Sequence, residues 1–427
     1  MTAVCFYFQV HQPHRLRRYS VFDIGRTHDY FDERKNAELL ARIARKCYLP
    51  ANTLILRLIN QTGGAFRIAY SITGTALEQL ELYAPDSLTS FQKLADSGAV
   101  EFLGEAYYHS LAWLYSRQDY SEQLRLHRKA IKRYFSQKPR VLRNTELIYN
   151  NEFGAFAEEQ GYKAVLAEGW DAVLGWRSPN FVYRPLGARK TRLLLKNYRL
   201  SDDVAFRFSN REWSGWPLTA EKYAAWIAAC EGQTVNLFMD YETFGEHQWP
   251  ETGIFDFLAS LPQELLRYRH LEFMTPGEVA QAFEPVAELD VPQLLSWADL
   301  ERDLSAWTGN RLQQSALAEL YRLEVAIKAT GDEKLLEDWR RLQTSDHFYY
   351  MCLKWFADGD VHKYFNPYDT PYEAYITFMN IINDLQQRVK HTPKQLAVLK
   401  RLAALIKALP AKSTIQPTLA RFNKGLA

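Results

Sequence analysis

The feature that most constrains the fold of this chain is the alternation of short apolar runs with helical patterns before residue 280. The runs that have the length and character of buried strands are 3–10, 66–72, 99–103, 141–147, 162–167, 197–201, 234–240 and 270–274. The helical patterns between most of them are 75–84, 86–97, 120–135, 151–160, 219–229 and 252–260. Strands that alternate with helices pair in parallel, so this pattern predicts a closed or nearly closed β/α barrel.

Polar motifs follow four of the predicted strands. They read HQPH (11–14), GEAYYHS (104–110), NTELIYNN (144–151) and NLFMDYETFGEH (236–247). Charges are costly to bury without partners, so an apolar run that ends in carboxylates indicates a strand whose last residues open into a cleft. In a β/α barrel the active site forms where the strands end. After the eighth run, MTPGEVA predicts a helix that begins with a capping box of Thr275 and Glu278.

Beyond residue 300 the pattern becomes purely helical. The amphipathic segments there are QQSALAELYRLEVAIKA, KLLEDWRRLQ, SDHFYYMCLKW, PYEAYITFMNIINDLQQRV and KQLAVLKRLAALIKAL. No linker rich in glycine or proline precedes them, so we expect them to pack directly on the barrel. The sequence therefore predicts a catalytic β/α barrel over 1–290 and an all-helical C-terminal domain over 291–427.

Composition and charge argue against several classes of partner and location. The formal net charge is only +2, and no basic run favours nucleic acid or an anionic membrane. No apolar run approaches the length of a membrane span, and MTAVCFYFQVHQP looks like a first strand and not like a signal peptide. The cysteines lie far apart without a CxxC pair, at Cys5, Cys47, Cys230 and Cys352. We expect a cytoplasmic protein.

Two carboxylates stand out as a candidate catalytic pair. Glu146 and Asp240 each close an apolar run, and strands four and seven of one barrel can face each other across its mouth. Such a pair suits glycoside hydrolysis, in which one carboxyl protonates the leaving oxygen and the other attacks or stabilises the sugar cation. Either residue could instead be a structural ion-pair partner, with Arg143 beside Glu146. Glu242 and Glu246 compete with Asp240 for its role.

Five motifs together resemble a known enzyme family. HQPH, GEAYYHS, NTELIYNN, FMDYETFGEH and MTPGEVA, in this order, are similar to the five sequence regions of glycoside hydrolase family 57, closest to its α-amylase-type members. The resemblance implies an incomplete (β/α)7 barrel followed by a helical domain, and a retaining mechanism on α-glucosidic bonds. By this match Glu146 is the nucleophile and Asp240 the acid/base. Retention requires the two carboxyl groups to lie roughly 5 Å apart, against about 6.5–9.5 Å for inversion.

The histidines at the strand exits allow two interpretations. His11, His14, His109 and His247, together with Asp240, could bind a divalent metal as in metal-dependent mannosidases and polysaccharide deacetylases. The His-x-Asp pattern that those enzymes share on the first strand is absent. We therefore expect no metal and no cofactor, and histidines that bind sugar hydroxyls and hold carboxylates, as the resemblance implies for His11.

Other side chains near the motifs are candidates for binding the sugar. Loop tryptophans can stack on glucose rings, and Trp113, Trp176 and Trp307 lie beside motifs of the family. Asp346 in SDHFYYM either starts a helix as its N-cap or reaches the cleft. With His11, His109 and His247 they make up the expected substrate-binding set. We expect His127 to be an ordinary surface residue.

These patterns lead to one expected activity and two alternatives. The expected protein is a retaining glycoside hydrolase of the α-amylase type, which cleaves α-1,4-glucan through a covalent glycosyl-enzyme. A 4-α-glucanotransferase or a branching enzyme would use the same pair and pass the sugar to another sugar hydroxyl. The alternative from another class is a catalytically inactive glucan-binding protein.

Overall fold

The computed structural model describes residues 1–354 and 366–390 of the 427-residue chain. Within these residues the strands are β1 (Thr2–Val10), β2 (Ile68–Ile72), β3 (Val100–Phe102), β4 (Val141–Arg143), β5 (Ala164–Glu168), β6 (Tyr183–Pro185), β7 (Arg192–Lys196), β8 (Thr234–Asp240), β9 (Leu271–Phe273) and β10 (Ala287–Leu289).

The helices of the described residues cover the sheets and form the C-terminal part. They are α1 (Glu33–Ile43), α2 (Leu49–Gln61), α3 (Gly74–Tyr83), α4 (Pro85–Asp96), α5 (Ala112–Tyr115), α6 (Arg117–Phe135), α7 (Asn151–Glu159), α8 (Asp171–Leu174), α9 (Tyr198–Ala205), α10 (Ala220–Ala228), α11 (Ile254–Leu266), α12 (Pro276–Ala282), α13 (Ser305–Thr308), α14 (Arg311–Arg322), α15 (Glu324–Thr330), α16 (Glu333–Arg341), α17 (Ser345–Tyr349) and α18 (Pro371–Lys390). A π-helical turn, Ala44–Tyr48, joins α1 to α2. The capping box of Thr275 and Glu278 at the start of α12 is confirmed.

The strands form two sheets that are almost entirely parallel. The first has the order β3-β2-β1-β8, with β9 also paired to β1, and the second has the order β10-β6-β7-β5-β4. The one antiparallel pair in these sheets joins β6 to β7. The fold is therefore α/β with parallel sheets, as the alternating pattern predicts.

Backbone hydrogen bonds also connect the two sheets at two points. Gly104 N donates to Val141 O at 2.8 Å, and Arg143 N donates to Gly104 O at 2.8 Å, which joins the end of β3 to β4. On the other side, Asn197 N donates to Asn236 O at 2.8 Å and joins the end of β7 to β8. Parallel strands of both sheets therefore run side by side, and their carboxyl ends share one edge.

One of the predicted strands is wrong. The run 197–201 belongs to the helix α9, and the strand β7 lies just before it. The side chain of Asn197 accepts a hydrogen bond from Leu200 N and caps the helix, whose inner face buries Leu200 and Val204. The apolar spacing of this segment is therefore helical. The short strands β6 and β10 carry no clear apolar run and were not predicted.

The C-terminal helices share a hydrophobic core with the second sheet. One cluster contains Leu142 and Val165 of the sheet together with Leu317 of α14 and Ile381 of α18. The predicted packing of the C-terminal helices on the sheets is thus confirmed for α14 and α18. The segment SDHFYYMCLKW is helical only over Ser345–Tyr349, and its last residue and KQLAVLKRLAALIKAL lie outside the described residues. The domain boundary at 290/291 stays a prediction. No helix of the described part of the chain is both long and apolar enough to cross a bilayer.

Candidate active site

A cleft of about 630 Å³ opens at the carboxyl ends of the strands. The expected site residues that line it are Glu146, Asp240, His11, His109, His247 and Asp346. They come from all four polar strand exits and from α17. The structure therefore brings together side chains that lie up to 335 positions apart in sequence, as the contact between His11 and Asp346 shows.

Glu146 is held in a tight turn directly after β4. The strand ends at Arg143, and Thr145–Leu147 form a 3-10 turn in which Glu146 has a left-handed backbone, φ 56 and ψ 27. The side chain of Asn144 secures this turn, since its Oδ1 accepts from Thr145 N and its Nδ2 donates to Ile148 O. A strained backbone at a residue that lines a cleft is typical of a functional position.

Three donors converge on the carboxylate of Glu146. His109 Nε2 lies 3.1 Å and Ser345 Oγ 3.0 Å from its Oε1, and Trp297 Nε1 donates to its Oε2 at 2.7 Å. Burial alone would raise the pKa of Glu146, but the hydrogen bond and charge of His109, with Arg143 and Trp297, lower it to about 2. Glu146 is therefore an ionised carboxylate near neutral pH.

His109 is the cation of this site. Its Nδ1 lies 3.6 Å from Glu105 Oε2, so the imidazole is placed between two carboxylates. Burial lowers the pKa of His109, but the hydrogen bonds to Glu105 and Glu146 outweigh it and raise the pKa to about 9. A doubly protonated imidazole donates from Nε2 to Glu146, faces the Glu105 carboxylate with Nδ1, and stabilises the charge on Glu146.

Asp240 lacks the hydrogen-bond donors that hold Glu146. It ends β8, is half-buried, and its carboxyl has no hydrogen-bond partner among the residues that the structure describes. Burial and the negative charge of Glu146 raise the pKa of Asp240 to about 6. Two carboxyl groups whose pKa values are pushed apart in one cleft are the arrangement that general acid catalysis beside an ionised nucleophile requires.

The two competing glutamates have other surroundings. Glu246 is 1% exposed, and its carboxylate lies 2.8 Å from Arg42 Nη2 and 3.9 Å from Lys46 Nζ, so it forms an internal ion pair. Glu242 lines the cleft, but its Oε1 accepts hydrogen bonds from the Tyr48 hydroxyl and from Gln12 Nε2.

His11 links the first strand exit to the C-terminal helices. Its ring stacks on that of His109 with centroids 4.0 Å apart, and burial together with the His109 charge lowers the pKa of His11 to about 4. A neutral His11 donates from Nε2 to Asp346 Oδ2 at 3.0 Å and leaves Nδ1 to accept from Thr73 Oγ1 at 2.9 Å. The N-cap of α17 is Thr344, so Asp346 reaches the cleft and does not cap the helix.

Two further histidines lie away from the cleft. His14 is 1% exposed, and its Nε2 lies 3.1 Å from Glu78 Oε2. His127 is fully buried, and its Nε2 lies 2.9 Å from Ile72 O, so its assignment to the surface is wrong. Within the described ranges, no group of three or more His, Cys, Asp and Glu side chains is arranged to hold a metal ion.

The structure does not bring the three expected tryptophans into the cleft. Trp113 and Trp307 are 3% and 1% exposed and pack in the hydrophobic core, where Trp113 meets Phe153 edge to face. A ring that is covered on both faces cannot stack on a sugar, so packing replaces the expected role. Trp176 is 90% exposed and is not part of the cleft lining.

A family model for glycosyl hydrolase family 57 matches residues 5–292 of the chain, which is more than half of its 427 residues. The chain belongs to glycosyl hydrolase family 57. A protein of Methanocaldococcus jannaschii named "Putative alpha-amylase" is 43% identical over 400 residues, which cover 91% of this chain and 85% of that protein.

Three solved structures share the fold of this family 57 chain at 14–15% sequence identity. The 4-alpha-glucanotransferase of Thermococcus litoralis has a TM-score of 0.55 at 15% identity. The match covers 82% of this chain and 50% of that enzyme. The GH57-type branching enzyme of Pyrococcus horikoshii has 0.61 at 14% identity, covering 91% and 94% of the two chains. The alpha-amylase AmyC of Thermotoga maritima has 0.59 at 14% identity, covering 96% and 98%.

Trp297 is the residue of this family 57 site that sequence reasoning missed. Its indole N–H donates to Glu146, its backbone N donates to Glu146 O at 3.1 Å, and its ring lies under Arg143 and Lys196 at 4.9 Å and 5.5 Å from the two cationic groups. It follows the last predicted strand in a segment without strand or helix. No periodic pattern identifies such a residue. It also lies outside all the motifs in sequence, so nothing in the sequence pointed to it.

Trp297→Phe is expected to lower kcat/KM on maltoheptaose by about 10- to 100-fold, because a hydrogen bond to a charged group contributes roughly 1.5–3 kcal/mol. Loss of the indole donor should also raise the pKa of Glu146. The measurement is kcat/KM as a function of pH, in which the acidic limb moves to higher pH. Trp249→Phe is the control, since Trp249 is 54% exposed and lies outside the cleft lining. Equal profiles for the two variants would contradict this role of Trp297.

Proposed function

We propose that this chain is a retaining glycoside hydrolase that cleaves α-1,4-glucan, with Glu146 as nucleophile and Asp240 as acid/base. The observation that carries the proposal is that both carboxyls line one cleft and only Glu146 is held by donors, from His109, Trp297 and Ser345. This arrangement lowers the pKa of Glu146 to about 2, whereas burial and the charge of Glu146 raise the pKa of Asp240 to about 6. Membership of family 57 and the relative named as an alpha-amylase support this choice. In this proposal, the strands that make up the incomplete (β/α)7 barrel are β1, β2, β3, β4, β5, β7 and β8.

The chemistry follows two steps. In the first, the carboxylate of Glu146 attacks the anomeric carbon while the glycosidic C–O bond breaks and the Asp240 proton passes to the leaving oxygen. In the second, the Asp240 carboxylate takes a proton from water, the water oxygen attacks the anomeric carbon, and Glu146 leaves as a carboxylate. Donors from His109 and Trp297 fix the orientation of Glu146 throughout.

The acceptor in the second step decides between hydrolysis and transfer. Incubation with maltoheptaose and with amylose, followed by product analysis, separates the outcomes. Rising reducing ends without longer products mean hydrolysis. Longer or branched products mean that the glycosyl group passes to a sugar hydroxyl, as in a 4-α-glucanotransferase or a branching enzyme. No change in either substrate would support a catalytically inactive glucan-binding protein.

The activity on unactivated glucan is expected to fall as the pH rises above about 6, where Asp240 loses its proton. The first step needs the protonated form of Asp240. This form is present below the raised pKa of Asp240 and is lost above it. The measurement is kcat/KM of maltoheptaose across pH. An aryl α-maltoside with a good leaving group serves as the control, because its departure needs little protonation and its first step should keep its rate above this pH.

Activity is expected to survive removal of divalent cations. Two histidines of the cleft face protein groups with both ring nitrogens: His11 faces Asp346 and Thr73, and His109 faces Glu105 and Glu146. Extended dialysis against a chelator should leave the rate of maltoheptaose cleavage within error of that of the undialysed enzyme. A loss of activity that zinc or manganese restores would favour metal-dependent chemistry of the deacetylase or mannosidase type.

A further inference from the structure

Glu242 is the one carboxyl in the cleft lining that the proposed mechanism does not use and that lies within two positions of Asp240. It is 4% exposed in the 3-10 turn Tyr241–Thr243, directly after β8. Its Oε1 accepts from the Tyr48 hydroxyl and from Gln12 Nε2, the latter at 3.3 Å. Among the described residues, no other side chain donates a hydrogen bond to its Oε2.

Arg15, the other neighbour of Gln12, fixes the direction of the hydrogen bond between Gln12 and Glu242. Arg15 Nη2 donates to Gln12 Oε1 at 3.0 Å, and an arginine can only donate. The amide oxygen of Gln12 therefore faces Arg15, and its amide nitrogen faces Glu242. Both contacts of Glu242 Oε1 are thus donated by neutral groups, which leaves Oε2 as the oxygen that can carry a proton.

Like Asp240, and unlike Glu146, Glu246 and Glu105, Glu242 has no cation beside it among the described residues. Glu146 lies against His109, Glu246 lies 2.8 Å from Arg42, and Glu105 lies 3.6 Å from His109. No Lys, Arg or His of the described chain lies within ion-pair distance, 4.0 Å, of Glu242. An ionised carboxylate buried without a cation costs several kcal/mol, and protonation removes this cost.

The charged and titratable groups around Glu242 come from several elements of the fold. They are Asp240 on β8, Glu246 with its partners Arg42 and Lys46 in and beside α1, Cys47 and Tyr48 in the π-helical turn, Arg15 behind Gln12, and His247. Burial and the charge of Asp240 raise the pKa of Glu242. The hydrogen bonds from Tyr48, from its own backbone N–H and from Gln12 lower the pKa by less, so it reaches about 8.

We propose that Glu242 binds the substrate as a neutral carboxylic acid, whose Oε2–H donates a hydrogen bond to a hydroxyl oxygen of the glucan. This rests on the proposed function, because the ligand is a sugar. Ionisation would turn this donor into an acceptor and add a negative charge beside Asp240. Glu242 is thus a substrate-binding residue whose proton, and not its charge, makes the contact.

The test compares glutamine and alanine at this position in a chain that cannot turn over. In a Glu146→Gln background, the dissociation constant of maltoheptaose is measured by calorimetry at a series of pH values. Glu242→Gln keeps an acceptor oxygen for Tyr48 and Gln12 and places an N–H donor at the position of Oε2, and it does not titrate. Glu242→Ala removes both functions.

Affinity of the Glu146→Gln protein should fall by about tenfold as the pH rises through about 8, since one hydrogen bond is lost. Adding Glu242→Gln should abolish that fall and keep most of the affinity at lower pH. Adding Glu242→Ala should weaken binding by about tenfold at every pH. The proposal is overturned if Glu242→Gln weakens binding as much as Glu242→Ala at low pH, or if the pH curves with and without Glu242→Gln coincide.

An infrared measurement tests the protonation state without any sugar. Near pH 7, the difference spectrum between the unsubstituted protein and the Glu242→Gln variant should contain the band of one protonated carboxyl group, with thermal melting as the check that both are folded. If the band is missing, the inference is wrong. If the band is present but the Glu146→Gln protein binds no maltoheptaose at any pH, the proposed function fails, the assignment of a sugar ligand fails with it, and the neutral state of Glu242 stands.

Discussion

Glu146→Gln is expected to lower the kcat for maltoheptaose cleavage by about 10⁴- to 10⁶-fold, since covalent catalysis depends on an ionised oxygen that the amide lacks. The fold should survive, because the amide oxygen can still accept from His109 and Ser345, as Oε1 of Glu146 does. The amide nitrogen will face the Trp297 N–H, donor against donor, so a modest fall in melting temperature is also expected.

The measurement is the release of reducing ends, with Glu152→Gln as the matched control. Glu152 is an exposed glutamate in the first turn of α7 that pairs with Arg117 at the surface, so its substitution should leave the rate as it is. Loss of the Glu146 charge should in addition lower the pKa of Asp240, because that charge is the second cause of its elevation after burial. Near-normal turnover of Glu146→Gln would remove Glu146 from the role of nucleophile.

The positions of the catalytic candidates could be predicted from sequence because they follow strands. Apolar runs that end in Glu146 or Asp240 mark the carboxyl ends of β4 and β8, and parallel pairing brings such ends to one edge. Local pattern and topology are sufficient for this step. The same reasoning fails at 197–201, because an apolar run of this length fits a strand and a helix equally well until Asn197 is seen to cap α9.

The rest of the site depends on long-range packing, which leaves no local pattern. Trp297 reaches Glu146 across 151 positions, and Asp346 reaches His11 across 335. For aromatic residues the sequence shows the residue type but not the side that is covered, so Trp113, in the core, and Trp176, exposed, gave the same expectation. A tryptophan in a loop becomes part of a site only through the position of the loop in the folded chain.

The second large effect concerns Asp240 and depends on the leaving group. Asp240→Ala is expected to reduce kcat/KM on maltoheptaose by about 10²- to 10⁴-fold, since this is the usual contribution of a general acid. On an aryl α-maltoside, whose leaving oxygen needs little protonation, the first step should proceed and form the glycosyl intermediate on Glu146. The intermediate should then accumulate, because no base remains to activate water. A burst of released phenol followed by slow turnover is the expected observation.

Added azide should restart turnover of that stalled Asp240→Ala enzyme, since azide is a nucleophile that needs no base and fits the space of the missing carboxylate. Two inversions at the anomeric carbon, the first by Glu146 and the second by azide, give a glycosyl azide of the α configuration. Glu246→Ala and Glu242→Ala are the controls. Glu246 is held by Arg42, and Glu242 donates to substrate in our proposal, so neither variant should respond to azide.

Rescue of Glu242→Ala in place of Asp240→Ala would transfer the acid/base role to Glu242. A β-configured azide from the Asp240 variant would show a single inversion, and Glu146 could then not be the nucleophile of a retaining enzyme.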